Sequence, residues 1–451
     1  MRRIIPLLFL SIAPFVSRAQ ETVQLSLQDC IDYALKNSAA AKNARLDVEL
    51  QKAQNAEVTG RALPQISAEG KYTQFFDVQQ AFIPKSFLDP NDPTLIGQYM
   101  PVAFTPKLSS VAQANVQQLL FNGSVFVALQ ARNTLMLLAQ QNADMKAEDI
   151  RYNVQKAYSG LLIARRQKEL MNSSIGLLRN TTRDLEVTYE NGLIEKIEVN
   201  RMQVQLSNLQ SDSLGLSSMI EVSEKMLKFT MGMDLNTPIV LTDGNMIDNV
   251  DAASAILLRD ENYENRLSYQ LANTALKLQQ YDLKRYRFEG LPTLAAFGSY
   301  GFNMSADRFK DISNLHRDYS YPRFNLVGLQ LNVPIFDGLQ RRNRVKAAKL
   351  KVEKAENDLE NAKLGIDFQT KSARVTLSNA IQTVDSRKRT MDLANSVLDL
   401  SKKKYQAGVG SNQDVVLAQT DYLQAQNNYF SALQSVFNAQ ADLQKSLGLL
   451  K

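Results

Sequence analysis

Acid–base, nucleophilic and metal chemistry at neutral pH draws most often on histidine and cysteine, and this sequence holds one of each, His316 and Cys30. A Ser/His/Asp triad could use only His316, and clustered His or Cys metal ligands are unavailable. A single cysteine also excludes a disulfide within the chain. The 46 acidic residues offer many carboxylates, yet no spacing brings two together for general acid and base work. No catalytic residue, cofactor or metal ligand is therefore expected. Cys30 reads as one face of a helix with Leu27, Ile31 and Ala34, and His316 as part of a loop between Asn303 and Pro322. Leaving Arg2, Arg3 and Arg18 out of the 52 basic residues sets 49 against 46 acidic ones; so balanced a chain gives no support for nucleic acid as a partner.

Those three arginines flank an address. Arg2 and Arg3 precede the apolar run Ile4 to Val16, and Ser17-Arg18-Ala19 supplies the small-x-small pattern of a signal peptidase site. Residues 1–19 are expected to be a signal peptide and the protein to be exported. The run is too short to span a membrane and is broken by Pro6 and Pro14. Asp29 before Cys30 does not suit a lipid-attachment motif.

The remainder is written twice. Leu119-Leu120-Phe121-Asn122-Gly123 answers Pro334-Ile335-Phe336-Asp337-Gly338 at an offset of 215, and Tyr189-Glu190-Asn191-Gly192 answers Tyr405-Gln406-Ala407-Gly408 at 216. Met231-Gly232-Met233 and Leu447-Gly448-Leu449 repeat that offset of 216, and Leu63-Pro64-Gln65-Ile66 matches Leu291-Pro292-Thr293-Leu294. The expected division is a first repeat at 20–233, a linker at 234–261 and a second repeat at 262–451.

No proline occurs between Pro106 and Pro238 or after Pro334, so Gly123 to Gly192 and Gly338 to Gly408 can each form a helix about 100 Å long. Val415, Ala418, Tyr422, Ala425, Tyr429, Ala432, Val436, Ala439 and Leu443 follow 3,4 spacing, with a second stripe at Val416, Leu423, Phe430 and Phe437. Val199, Met202, Leu206, Leu209, Leu216, Ile220 and Leu227 form the seam of the first repeat, and Ala348, Val352, Ala355, Leu359, Ala362 and Ile366 that of the second long helix. Two apolar seams on one helix suit a wall of helices, and a four-helix bundle also satisfies them.

The proline-bearing stretches alternate instead. Asn325 to Pro334 sets Val327, Leu329, Leu331 and Val333 against Gly328, Gln330 and Asn332; Ser110 to Gln118 repeats the pattern, and Gln65–Gln74 and Thr293–Phe302 are the partner strands. Tyr72, Phe75, Phe76, Phe297, Tyr300 and Phe302 are interfacial aromatic candidates. Strands of about ten residues, apolar on one side and polar on the other, suit a membrane barrel or a strand pair on a soluble core. Four strands cannot close a barrel, and open edges in lipid leave backbone donors unpaired, so the strands must be pooled between chains. Two chains would give about eight strands and a filled lumen; three would give about twelve and an open pore.

These residues resemble the TolC family of outer-membrane efflux and secretion channels over essentially the whole mature chain. The likeness rests on the duplicated strand, helix, helix layout, on Leu25-Ser26-Leu27-Gln28-Asp29-Cys30-Ile31-Asp32-Tyr33-Ala34-Leu35-Lys36-Asn37, on Asn332-Val333-Pro334-Ile335-Phe336-Asp337-Gly338, and on the paired Tyr-x-x-Gly turns. It implies a mainly α fold with a membrane β-barrel: a homotrimer whose twelve-stranded barrel in the outer membrane continues as a twelve-helix α-barrel across the periplasm. Its implied partners are outer-membrane lipid, a periplasmic adaptor and an inner-membrane RND or ABC transporter. The chain itself would be a passive exit duct.

The resemblance also assigns positions. Phe121, Gly123, Pro334, Phe336 and Gly338 mark the strand-to-helix junctions. Gly192, Leu193, Gly408 and Val409 fall at the hairpins where adaptor tips dock, although a glycine ending any helix reads the same way. Asp414 and Glu198, 216 apart, fall at the closed tunnel entrance; an acid stabilised by its own helix dipole is the simpler alternative. Tyr405 matches the gate tyrosine. The family's basic partner position is Gly410 and its second acidic position Leu417, which makes Arg201 the substitute cation.

Two features stand apart. Phe76 to Leu108 holds five prolines and reads as an external loop. Arg341, Arg342, Arg344, Lys346 and Lys349 open a helix where cations oppose its dipole, either as a solvated face or opposite lipid phosphates. The alternative functional reading is an exported coiled-coil scaffold or surface adhesin without channel activity.

Overall fold

The computed structural model describes residues 23–244, 251–259, 262–306 and 322–450. The expected signal peptide and His316 lie outside them. In chain order the first repeat contains β1 (Val23–Leu25), α1 (Leu27–Asn37), α2 (Ala39–Gly60), β2 (Gln65–Gln74), β3 (Gln80–Pro84), β4 (Tyr99–Ala103), β5 (Leu108–Phe121), α3 (Gly123–Glu190) and α4 (Lys196–Met231). There follow β6 (Ile239–Leu241), α5 (Asp251–Ser254), α6 (Leu267–Phe288), β7 (Thr293–Ala306), β8 (Arg323–Asn332), α7 (Gln340–Gln406) and α8 (Asn412–Ser446). The chain divides into two compact units, one of Met1–Val48, Gln140–Ala272 and Leu359–Lys451, the other of Glu49–Ala139 and Asn273–Asp358.

The first unit is helical and holds the main core. Its apolar seams are largely buried: Val415, Ala418, Ala425, Ala432, Val436, Ala439 and Leu443 on α8, and Val199, Met202, Leu209, Leu216 and Leu227 on α4, are buried, with Leu206 and Ile220 partly so. Tyr422 and Tyr429 are half-buried and pack on the cores through their rings. A small parallel sheet closes this unit, with Val23 opposite Ile239 and Leu25 opposite Leu241. Ser26 and Asp29 form a capping box at the start of α1, and the Leu27 N–H donates to Asp243 Oδ2 at 2.7 Å. The buried Tyr158 hydroxyl accepts the Asp243 N–H at 3.3 Å, and burial pushes its pKa up. Cys30 is fully buried on α1 beside Ala34. Burial, with the charges of Asp29 and Asp243, pushes its thiol up to about 12.

The second unit is built on an antiparallel sheet in the order β2-β5-β7-β8. Expected and observed strands coincide for β2, whereas β7 runs on to Ala306 and β5 covers Leu108–Phe121. A register shift between Leu119 and Phe121 lets β5 stay paired to its end. β8 stops at Asn332, before Pro334, because proline has no N–H to give the ladder.

Residues 76–108, read from the sequence as an external loop, contain a hairpin of their own. β3 and β4 form a hairpin in which Phe82 faces Pro101 and Pro84 faces Tyr99. A two-stranded ribbon is all edge, so prolines fit where their missing N–H points away from the partner.

Candidate functional site

The four-stranded sheet has two chemically distinct faces, and its register fixes which residues share them. One row runs Ile66, Val116, Gly298, Val327, and the next row on the same side runs Ala68, Ala114, Tyr300, Asn325. Ala296 with Leu329 and Leu294 with Leu331 continue that face. Gly70, Ala112 and Phe302 carry it toward the other end, where Arg323 lies over the Phe302 ring at 5.8 Å. Large apolar side chains on this face point into the open: Val327 is 91% exposed and Ile66 76%.

The intervening rows are largely polar: Gln65, Gln117, Phe297, Gly328; then Ser67, Asn115, Ser299, Leu326; then Glu69, Gln113, Gly301, Phe324. Gln113 Nε2 donates to Glu69 at 3.1 Å and the Ser299 hydroxyl to Asn115 at 2.7 Å. Phe297 lies over Gly328 and Phe324 over Gly301, so closely that a Cβ at either glycine would meet the ring within 2.9 Å. Among the described residues β2 and β8 are both unpaired on their outer sides.

The junctions below the sheet are not copies of one another. Phe336 is exposed after Pro334, and the chain turns through Gly338 and Leu339, both left-handed at φ 64° and 65°. A leucine in that region is strained, and its glycine neighbour is not. At the first junction Phe121 contacts Phe126 at 5.5 Å between ring centroids. There Gly123 begins α3 directly, and its missing side chain admits the end of α6: a Cβ would stand 2.7 Å from the Phe288 carbonyl.

In the helical unit both long hairpins turn by the same device. Gly192 N–H donates to Tyr189 O at 2.8 Å and Leu193 N–H to Thr188 O at 3.1 Å; Gly408 and Val409 bond to Tyr405 O and Lys404 O at 3.0 Å each. The two glycines have φ of 74° and 75°, the left-handed cap that ends a helix in a Schellman motif. Leu193 and Val409 are left exposed at the tips.

Beside these turns Glu198 pairs with Arg201 at 3.1 Å and accepts from Asn412 Nδ2 at 2.8 Å, which joins α4 to α8. Tyr405 packs between the two hairpin cores, and burial together with the Glu198 charge raises its pKa. Asp414 takes no part in this network. Its carboxylate accepts the Ser411 N–H at 3.2 Å while Ser411 Oγ accepts the Asp414 N–H at 3.1 Å, a capping box at the start of α8. The repeat-equivalent of Ser411 is Glu195, which makes no side-chain cap, so Glu198 is free to reach across. Asn412 is the member of the group that sequence reasoning missed. Only its heptad relation to Gln419 and Gln426, two further buried amides, could have drawn attention to it.

Residues 258–449 match the outer membrane efflux protein family. The alkaline protease secretion protein AprF of Pseudomonas aeruginosa is 21% identical over 255 residues, 56% of this chain and 52% of that protein; the matched stretch thus spans about half that relative's length. Solved structures agree over far more of the chain. VceC of Vibrio cholerae superposes with a TM-score of 0.69 at 15% identity, covering 94% of this chain and 96% of its own. The Campylobacter jejuni CmeC outer membrane channel gives 0.70 at 18%, covering 94% and 85%. The open state of the Neisseria gonorrhoeae MtrE outer membrane channel gives 0.69 at 18%, covering 94% and 88%.

Proposed function

We propose, on the premise that residues 258–449 belong to the outer membrane efflux protein family and that the described chain has the fold of the outer-membrane channels it resembles, that this protein is the exit duct of an efflux or secretion system. Three copies pool their strands into one barrel in the outer membrane, and their long helices form a helical barrel in the periplasm. Substrate arrives through a periplasmic adaptor from an inner-membrane RND or ABC transporter, which supplies the energy. The duct performs no chemistry of its own.

The observation that carries this reading is the sheet: an exposed apolar face, a polar face opposite, and two open edges. In water the apolar face needs a cover; in lipid it is the outer wall of a barrel, and the edges are satisfied only by neighbouring copies. A coiled-coil scaffold would have no use for such a sheet.

At the periplasmic end, Gly192, Leu193, Gly408 and Val409 present the turns that receive the adaptor, and Glu198, Arg201, Asn412 and Tyr405 hold α4 to the α7–α8 hairpin and keep the entrance narrow. Asp414, whose bonds are those of its own helix cap, contributes charge to the entrance rather than a bond between helices. Processed protein in a planar bilayer should give discrete conductance steps. Asp414→Asn preserves the cap acceptor and removes only the charge, so it should weaken block by divalent cations. A stable water-soluble monomer without conductance would overturn the duct, and unchanged block would remove Asp414 from the entrance.

A further inference from the structure

We propose that the basic start of α7, with the exposed apolar segment before it, binds the phosphate headgroup of an anionic phospholipid in the leaflet bordering the barrel. This rests on the barrel reading above. The outward alternation of β8 does not end with the strand: Val333 and Ile335 prolong the row of Val327, Leu329 and Leu331, and Ile335 is 93% exposed. The left-handed pair Gly338 and Leu339 then turns the chain into α7. On the first turns of that helix Arg342, Lys346 and Lys349 share one face by their 4,3 spacing. Together with Phe336 and Leu339 they line a cavity of about 610 Å³.

Two acids lie nearby: Glu289 is paired with Arg344 at 2.7 Å, and Asp337, which also lines the cavity, is turned onto the Arg341 backbone N–H at 2.8 Å and leaves the cations of the cavity in excess. Among the described residues no carboxylate lies within ion-pair distance of Arg342, Lys346 or Lys349. Cations at a helix start are opposed by its dipole, so the cluster needs an outside anion.

The turn itself does not demand the charge. At the offset of 215 the first repeat carries Phe126, Val127, Leu129, Ala131 and Thr134 where the second has its five cations. A phosphate accepts from several Lys and Arg donors at once, and its acyl chains would lie along the exposed row ending at Ile335. An acidic protein segment would meet the charge but leave Val333, Ile335 and Phe336 in water.

The test compares the full processed chain in detergent with Arg342→Gln/Lys346→Gln/Lys349→Gln, using dispersed phosphatidylglycerol, phosphatidylcholine and inorganic phosphate as probes. The variant should lose roughly 100-fold in affinity for phosphatidylglycerol, with phosphatidylcholine unchanged and the wild-type preference weakened by salt. Equal binding by wild type and variant, or displacement of the lipid by inorganic phosphate at equal concentration, overturns the site. Vesicle flotation separates the two levels. A chain that inserts into phosphatidylcholine vesicles yet shows no preference for phosphatidylglycerol fails only this proposal, whereas one that inserts into neither removes the barrel reading and the site with it.

Discussion

Lys228 is 4% exposed, and its ammonium is held by Glu224 at 2.7 Å and by the Leu235 carbonyl at 3.1 Å. Arg165 on α3 closes the group from the other side, 2.7 Å from Glu224. Burial pushes the Glu224 carboxyl up, but the hydrogen bonds and charges of Lys228 and Arg165 outweigh it and leave it below its ordinary 4.5. A carboxyl held down by folding contributes stability that is complete above the ordinary value and fades as pH falls through the lowered one. Glu224→Gln should therefore cost about 2–4 kcal/mol at neutral pH, less than a fully buried pair because Glu224 is partly exposed. In urea titrations followed by circular dichroism, the difference from wild type should begin to shrink as pH falls below the ordinary 4.5 and vanish only below the lowered value. The equal spacing of the repeats made Glu198 legible beforehand, and Tyr405 and Arg201 entered through the family likeness. Asn412 was not legible, because an amide at a helix start carries no signature of what it will reach on another helix.

On α8 the amides at 412, 419 and 426 form a polar stripe one heptad apart inside an otherwise apolar packing. Asn412 Oδ1, Gln419 Nε2 and Gln426 Nε2 are buried with no hydrogen-bond partner among the described residues. Such groups cost stability and fix register, since a helix that slides moves them against apolar neighbours. Gln419→Leu is expected to raise stability by about 1 kcal/mol, seen as a higher melting temperature in detergent; a lower one would mean that neighbouring copies satisfy the amide. The helices and their seams were readable because period and proline placement act locally along the chain. Strand ends are less legible: β8 lies two residues earlier than its alternation implies, and β5 and β7 run further, because pairing partners rather than composition decide where a ladder stops. The hairpin of β3 and β4 is hidden for the same reason, the five prolines of residues 76–108 suggesting a loop.

If chains share one barrel, each contributes both of its unpaired edges to neighbours. A subunit spoiled at a single edge then damages every assembly it enters. Leu329→Pro on β8 removes a ladder donor on an edge strand and should act dominantly. Co-expressed in equal amount with wild type, it should leave only about one assembly in eight free of the defect, read as a loss of conducting channels far beyond one half. A simple halving would mean that single chains conduct. The parallel sheet of β1 and β6 adds a constraint in time. Val23 meets its partner at Ile239, so the strand near the beginning waits, as the polypeptide is delivered, for the whole first repeat to pass before it can be zipped in. Ordering of that clasp, with the Asp243 contact to the first turn of α1, must await the arrival of everything up to β6, α3 and α4 included.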